Sequence, residues 1–261
     1  MGVLNVTPDS FSDGGVHLDP LAAVAAGRRM IEDGAAILDV GGESTRPGSR
    51  PVTVDEELAR VVPVIEGLAD ATISIDTSKA AVARRALELG AVLVNDVTAL
   101  RGDPDLVGAI AETGAYVCLM HMQGMPETMQ VAPRYDDVVS DVAAFLEERL
   151  AFAVEHGVRE ELVCLDPGIG FGKTPDQNLE LVNRLDEIVS LGPPVLIGVS
   201  RKSTLARALG DLAGSVGTDA ASVGAAVAAF DRGASIFRVH DVRSHVEALA
   251  AAAAVERAAI A

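Results

Sequence analysis

An alternation constrains this chain more than any other feature. Eight short apolar runs of four or five residues are separated by eight longer stretches of helical periodicity, from one end of the sequence to the other. The strand-like runs are 2–6, 36–40, 73–76, 92–95, 116–120, 162–165, 195–199 and 235–239. They are rich in Val, Ile and Leu without clean apolar/polar alternation, which is the pattern of strands buried on both faces of a parallel sheet. The helical stretches are 21–33, 55–69, 79–89, 104–112, 136–155, 177–191, 222–232 and 242–259. Several open on capping residues: Asp19 before Pro20, Thr53 with Glu56 three positions on, and Thr77–Ser78. No composition break or low-complexity linker interrupts the series. The pattern predicts one domain over residues 1–261 folded as a single (β/α)8 barrel, with an open doubly wound sheet as the alternative.

Charge narrows the partners. The 261 residues include 21 Lys and Arg against 38 Asp and Glu, a net charge of −17. Such a surface excludes nucleic acid and anionic lipid as general partners, and an anionic ligand would require cations gathered at one place. No run of about 18 apolar residues is present, and no basic leader precedes an apolar segment, so a soluble cytoplasmic protein is expected. Cys118 and Cys164 each sit inside an apolar run and form no CxxC pair, so they read as buried structural thiols. Met1 runs straight into the first strand-like segment, and the numbering is expected to begin inside a longer chain.

A barrel places its working residues at the C-terminal ends of its strands. In order, those ends carry Asn5, Asp39, Asp76, Asn95–Asp96, His121, Asp166, Ser200–Arg201–Lys202 and Arg238–His240. One Asp after a strand reads as a cap or turn former; polar residues at all eight ends do not. Asp76, Asn95 and Asp166 suit a flat heterocycle presenting several N–H donors along one edge. Lys202, Arg238 and His240 bring positive charge to an acidic molecule and point to an anionic group, a phosphate or a pyrophosphate. Arg201 and Lys202 oppose a helix dipole at a helix start, which favours a site role for the pair.

Two long loops follow the first two strands: 7–16, built around Phe11, and 41–51, with three Gly, two Pro and two Arg. Their length predicts lids over the barrel mouth. The segment Gly168–Lys173 has glycines and a lysine but lacks the spacing of a phosphate-binding loop. His121 and His240 stand in no metal-ligand spacing with other His or Cys, and no GxSxG nucleophile signature occurs.

Taken together, LNVTPDSFSDGG (4–15), DVGGESTRPG (39–48), SIDTSK (74–79), VNDV (94–97), MHMQGMPETMQ (120–130), LDPGIGFGKT (165–174), SRKS (200–203) and RVHDV (238–242) resemble the dihydropteroate synthase family, in family order and over essentially the whole chain. The resemblance implies a (β/α)8 fold and the condensation of 6-hydroxymethyl-7,8-dihydropterin diphosphate with 4-aminobenzoate, with Mg²⁺, to give 7,8-dihydropteroate and diphosphate. It implies pterin contacts from Asp76, Asn95, Met120, Asp166, Lys202 and Arg238, and aminobenzoate contacts from Thr45, Pro47, Phe171, Lys202 and Ser203. Diphosphate contacts would come from Asn5, Arg238 and His240, with Asn5 also touching Mg²⁺. Asp13 and Arg46 would close over the reacting centre and act in catalysis beside Lys202, Arg238 and His240. A homodimer is implied as well, consistent with the Ala-rich stretches near the C-terminus. A pterin-binding methyltransferase domain would have no reason to keep SRKS, RVH and the first loop. A silent pterin-binding relative could drop the cations that this chain retains.

Overall fold

The structure is a computed structural model and describes residues 1–7, 19–45, 49–124, 128–210 and 217–258. Asp13, Arg46 and Pro47 fall outside the described residues, as does most of the first long loop.

Eight strands run parallel in sequence order: β1 (Gly2–Asn5), β2 (Leu38–Gly41), β3 (Ile73–Asp76), β4 (Leu93–Asp96), β5 (Tyr116–Met120), β6 (Val163–Asp166), β7 (Leu196–Ile197) and β8 (Ile236–Phe237). β1 to β6 form one sheet and β7 pairs with β8. Single bridges join Leu165 to Val195 and Gly2 to Val239. The Val3 amide donates to the Val239 carbonyl, and the Val239 amide to the Met1 carbonyl, both at 2.9 Å. The strands therefore return on themselves as a barrel rather than ending in the two free edges of an open sheet.

The strands hide a period of two. Leu4, Leu38, Val40, Ile73, Ile75, Val94, Val117, Leu119, Val163 and Leu165 pack outward with the helices in one continuous core. The alternate positions point inward. Leu93, Cys118, Cys164 and Leu196 fill the interior low in the barrel, while Asp39, Ser74, Asp76, Asn95 and Asp166 occupy it toward the C-terminal ends, all buried. Cys118 and Cys164 are register partners on β5 and β6, and both are free, buried thiols.

The helices are α1 (Pro20–Glu32), α2 (Val54–Gly67), α3 (Ala80–Glu88), α4 (Leu106–Thr113), α5 (Val138–Glu155), α6 (Pro175–Asn183), α7 (Leu185–Val189), α8 (Ser203–Leu209), α9 (Asp219–Phe230) and α10 (Val242–Ala258). Asp19 caps α1 by accepting from the Leu21 amide, and Thr53 with Glu56 forms a capping box on α2. The expected Thr77–Ser78 cap is absent. Instead Lys79 is the N-cap of α3, without a side-chain capping bond; Thr77 Oγ1 accepts from the Lys79 amide at 3.2 Å, and the Ala80 amide is satisfied from across the chain by Asp103 at 2.8 Å. The single helix expected over 177–191 is two, broken at Arg184, which caps the end of α6 and the start of α7. Its guanidinium gathers Asp137, Glu180 and Glu187 there. α8 was anticipated only as a helix start at Arg201–Lys202, not as a helical stretch: its seven residues are too short to show a periodicity. Among the described residues no helix is long and apolar enough to cross a membrane.

Candidate active site

Inward-facing strand ends meet residues of the β7 and β8 loops at one mouth of the barrel. Asp39, near the end of β2, is fully buried and is the hub. One oxygen accepts from Ser74 Oγ at 2.6 Å; the other accepts from Asn95 Nδ2 at 3.0 Å and from Arg238 Nε at 2.6 Å. Arg238 Nη2 donates to Asp76 at 2.8 Å. Strands β2, β3 and β4 and the segment after β8 thus share one hydrogen-bonded network. Burial pushes the Asp76 carboxyl up to about 7, with Arg238 opposing and Asp39 adding to the rise. Burial works against the Arg238 charge, yet Asp39 and Asp76 together hold its pKa above the ordinary arginine value.

Across the mouth, Asp166 ends β6. Its Oδ1 accepts from the Gly168 amide at 2.7 Å. Burial raises its pKa, against that hydrogen bond and the charges of Lys202, Lys173 and Arg238. Lys202 precedes α8, with its ammonium 4.4 Å above the Phe171 ring centroid. Phe171 packs in turn on a patch of Val97, Met120, Met122 and Met129. Ser203 opens α8 beside Lys202. His240 approaches Ser200 Oγ through its amide at 3.2 Å and its Nδ1 at 3.0 Å. Asn5 and Thr45 are half-buried, at the end of β1 and in the loop after β2.

Of the residues expected from the sequence, Asp76 and Arg238 are joined directly, Asn95 joins them through Asp39, and Lys202, Phe171 and Met120 form a second group. Arg201 departs from expectation. Its guanidinium turns out to Asp219 on α9, at 2.8 and 3.0 Å, so it braces the loop and only Lys202 enters the site. Arg201 holds φ +57°, a left-handed conformation uncommon for a side-chain-bearing residue, and this kink sends the neighbouring side chains in different directions.

Three participants went unrecognised in the sequence. Asp39 looked like one strand-end carboxylate among many; its inward phase in the two-residue period could have singled it out. Lys79 bonds Glu43 and the fully buried Glu57, pinning the stem of the second long loop to α2, and no local pattern announces it. Lys173, read as a faint echo of a phosphate loop, is buried among backbone carbonyls and so cannot reach a phosphate.

Among the described residues, no cluster of three or more His, Cys, Asp or Glu could hold a metal ion. Asn5 supplies a hard oxygen of the kind Mg²⁺ accepts. A cation at this mouth would take one protein oxygen and complete its shell with phosphate and water, as Mg²⁺ commonly does.

The geometry agrees with what this chain resembles. The family described as pterin binding enzyme matches residues 1–240. Dihydropteroate synthase of Escherichia coli K12 is 48% identical over 255 residues, which cover 95% of this chain and 88% of that protein. The Xanthomonas albilineans dihydropteroate synthase solved with 4-aminobenzoic acid superposes with a TM-score of 0.89 at 46% identity, covering 98% of this chain and 92% of the other. The same organism's enzyme in complex with 7,8-dihydropteroate gives a TM-score of 0.86 at 43% identity, with the same coverage. The chain belongs to the dihydropteroate synthase family of pterin-binding enzymes.

Proposed function

We propose that this chain condenses 6-hydroxymethyl-7,8-dihydropterin diphosphate with 4-aminobenzoate, giving 7,8-dihydropteroate and diphosphate. One observation carries the assignment of roles: a single buried network links Asp39, Asp76, Asn95 and Arg238, placing acceptors for a heterocycle beside a cation for its leaving group. Asp76 commits Oδ2 to Arg238, and Asp166 commits Oδ1 to the Gly168 amide. The second oxygen of each is left to accept N–H groups along the pterin edge. Asn95 lies on that edge, and Met120 packs against the ring.

With Nε and Nη2 of Arg238 engaged by carboxylates, Nη1 is its donor to the diphosphate, next to His240 and Asn5. Mg²⁺, held by Asn5 and the diphosphate itself, would supply further charge neutralisation of the leaving group. The bond between the pterin methylene carbon and the diphosphate oxygen breaks, and the electron pair leaves with the diphosphate. The methylene cation left behind is stabilised by the ring. The aminobenzoate nitrogen then bonds to that carbon and releases a proton. Such chemistry needs no Ser or Cys nucleophile; it needs oriented charge and exclusion of water. In this reading Phe171, Lys202, Ser203 and Thr45 border the aminobenzoate; the roles of Pro47, Asp13 and Arg46 are those the resemblance implies, and these three lie outside the described residues.

We take the protein to be one domain that works in the cytoplasm as a homodimer. The free thiols of Cys118 and Cys164, neighbours in the barrel interior, suit a reducing compartment. The decisive assay incubates the purified protein with both substrates and Mg²⁺ and follows diphosphate release. Release that depends on aminobenzoate is the expected outcome. Pterin binding without turnover would overturn the reading.

A further inference from the structure

Lys173 is 2% exposed and carries no part of the chemistry above. Its Nζ lies 2.8 Å from His121 Nδ1, 2.9 Å from the Gly168 carbonyl and 3.0 Å from the Phe171 carbonyl. An ammonium has three hydrogens, and three acceptors lie within 3.0 Å of it, with the His121 carbonyl oxygen a longer fourth at 3.4 Å. Burial and the neighbouring Lys173 charge push the His121 ring down to about 2, so the imidazole is neutral and accepts at Nδ1. Burial lowers Lys173 itself to about 7, with Asp166 opposing.

The two carbonyls lie at either end of the turn from Gly168 to Phe171, and the histidine stands just past β5. The turn lies flush against that neighbouring segment. A Cβ added at Gly168 would come within 1.9 Å of the His121 carbonyl oxygen, and one at Gly172 within 2.5 Å of the Gln123 carbonyl oxygen. Tyr135 Oη donates to the Gly172 carbonyl and Gln130 Nε2 to the Gly170 carbonyl, each at 2.7 Å. Every one of these bonds orients the loop that presents Phe171 to Lys202.

We propose that Lys173 is a positioning residue: its ammonium ties the end of β5 to the loop after β6, fixes Phe171 beneath Lys202, and so shapes the second-substrate pocket without touching either substrate. This rests on the reading that Phe171 and Lys202 border the aminobenzoate.

Steady-state kinetics with each substrate varied in turn, together with thermal melting, test the assignment. Lys173→Met removes all three donors. It is expected to raise the KM for 4-aminobenzoate about tenfold while the KM for the pterin diphosphate stays within about threefold. His121→Leu should move the same constant in the same direction by less. His121→Asn, whose amide oxygen can stand in for Nδ1, should recover most of that loss. Equal rises in both KM values, or an unchanged aminobenzoate KM in folded Lys173→Met, would overturn the proposal. Should Lys173→Met fail to fold, the His121 pair decides, and identical behaviour of Asn and Leu sinks it. Wild-type protein without turnover overturns the reaction and this role together. Wild-type turnover with no split among the variants overturns the role alone.

Discussion

Two sectors of the barrel mouth are ordered by different means. In the sector of β2, β3, β4 and β8, the polar groups order one another. Arg238 bonds two carboxylates, and Asn95 and Ser74 converge on the same Asp39. All but Arg238 belong to strands, so the barrel's hydrogen-bond ladder sets their spacing. In the sector of β6 and β7, Asp166 has a backbone amide as its partner, and Lys202 rests on an aromatic face. There the order comes from a loop with glycines at φ +68°, +84° and +65°, anchored by one buried lysine. The first sector is a lattice of two carboxylates around one guanidinium that fails when that cation is removed. The second is a packed loop that loosens by degrees.

The largest expected effect tests that contrast most directly. Arg238→Met leaves Asp39 and Asp76 buried without their counter-charge, which should cost about 3–5 kcal/mol of stability in denaturant unfolding. Turnover should fall by about 1,000-fold or more, as expected when a leaving-group cation is lost. A stable, active variant would mean that the lattice does not depend on its cation. Asp166→Asn keeps an oxygen for the Gly168 amide but loses the carboxylate, and should weaken pterin binding by about 1–3 kcal/mol with the melting temperature nearly unchanged. Unaltered affinity in calorimetry would misplace the pterin.

A smaller effect follows from acidity. The Asp76 carboxyl sits at about 7 against an ordinary 3.8, so the folded state holds a proton that the unfolded chain has already released between those values. Its contribution to stability is present in full at acid pH and is lost as pH rises through about 7. Ligand binding has the opposite sign, because a protonated Asp76 no longer offers an ionised acceptor. Pterin affinity should therefore decline as pH falls below about 7, and Asp76→Asn should flatten that limb of the profile. A wild-type affinity independent of pH across that window would refute it. The mildest change is Phe171→Leu, which removes the ring under Lys202. It should raise the aminobenzoate KM by about three- to tenfold and leave pterin affinity alone; equal damage to both would make Phe171 part of the general core.

Most strands were legible because parallel barrel strands are short aliphatic runs. The runs at 73–76 and 116–120 coincide with β3 and β5. The finer message was harder to read. In ISID and LVND the inward positions are Ser74, Asp76, Leu93 and Asn95, so a two-residue alternation is present, but three of those four are polar and the face is buried. A reading that equates polar with exposed passes over it. The same blindness affected Lys173, because a lysine at 2% exposure is rare, and Lys79, because its partners Glu43 and Glu57 come from another loop and another helix. Arg201 was misread for a related reason. Two adjacent cations share a sequence context, yet the left-handed turn at Arg201 gives one to Asp219 and the other to the mouth.

By itself the sequence determined the order of the eight strands, the barrel, and the polar character of all eight strand ends, because local periodicity and turn chemistry act over a few residues. Only the tertiary structure decided which of those polar groups bond one another. Arg238 lies 199 positions from Asp39 and 162 from Asp76. Contacts of that range exist only once the barrel has closed and its low-dielectric interior has forced each buried charge to find a partner.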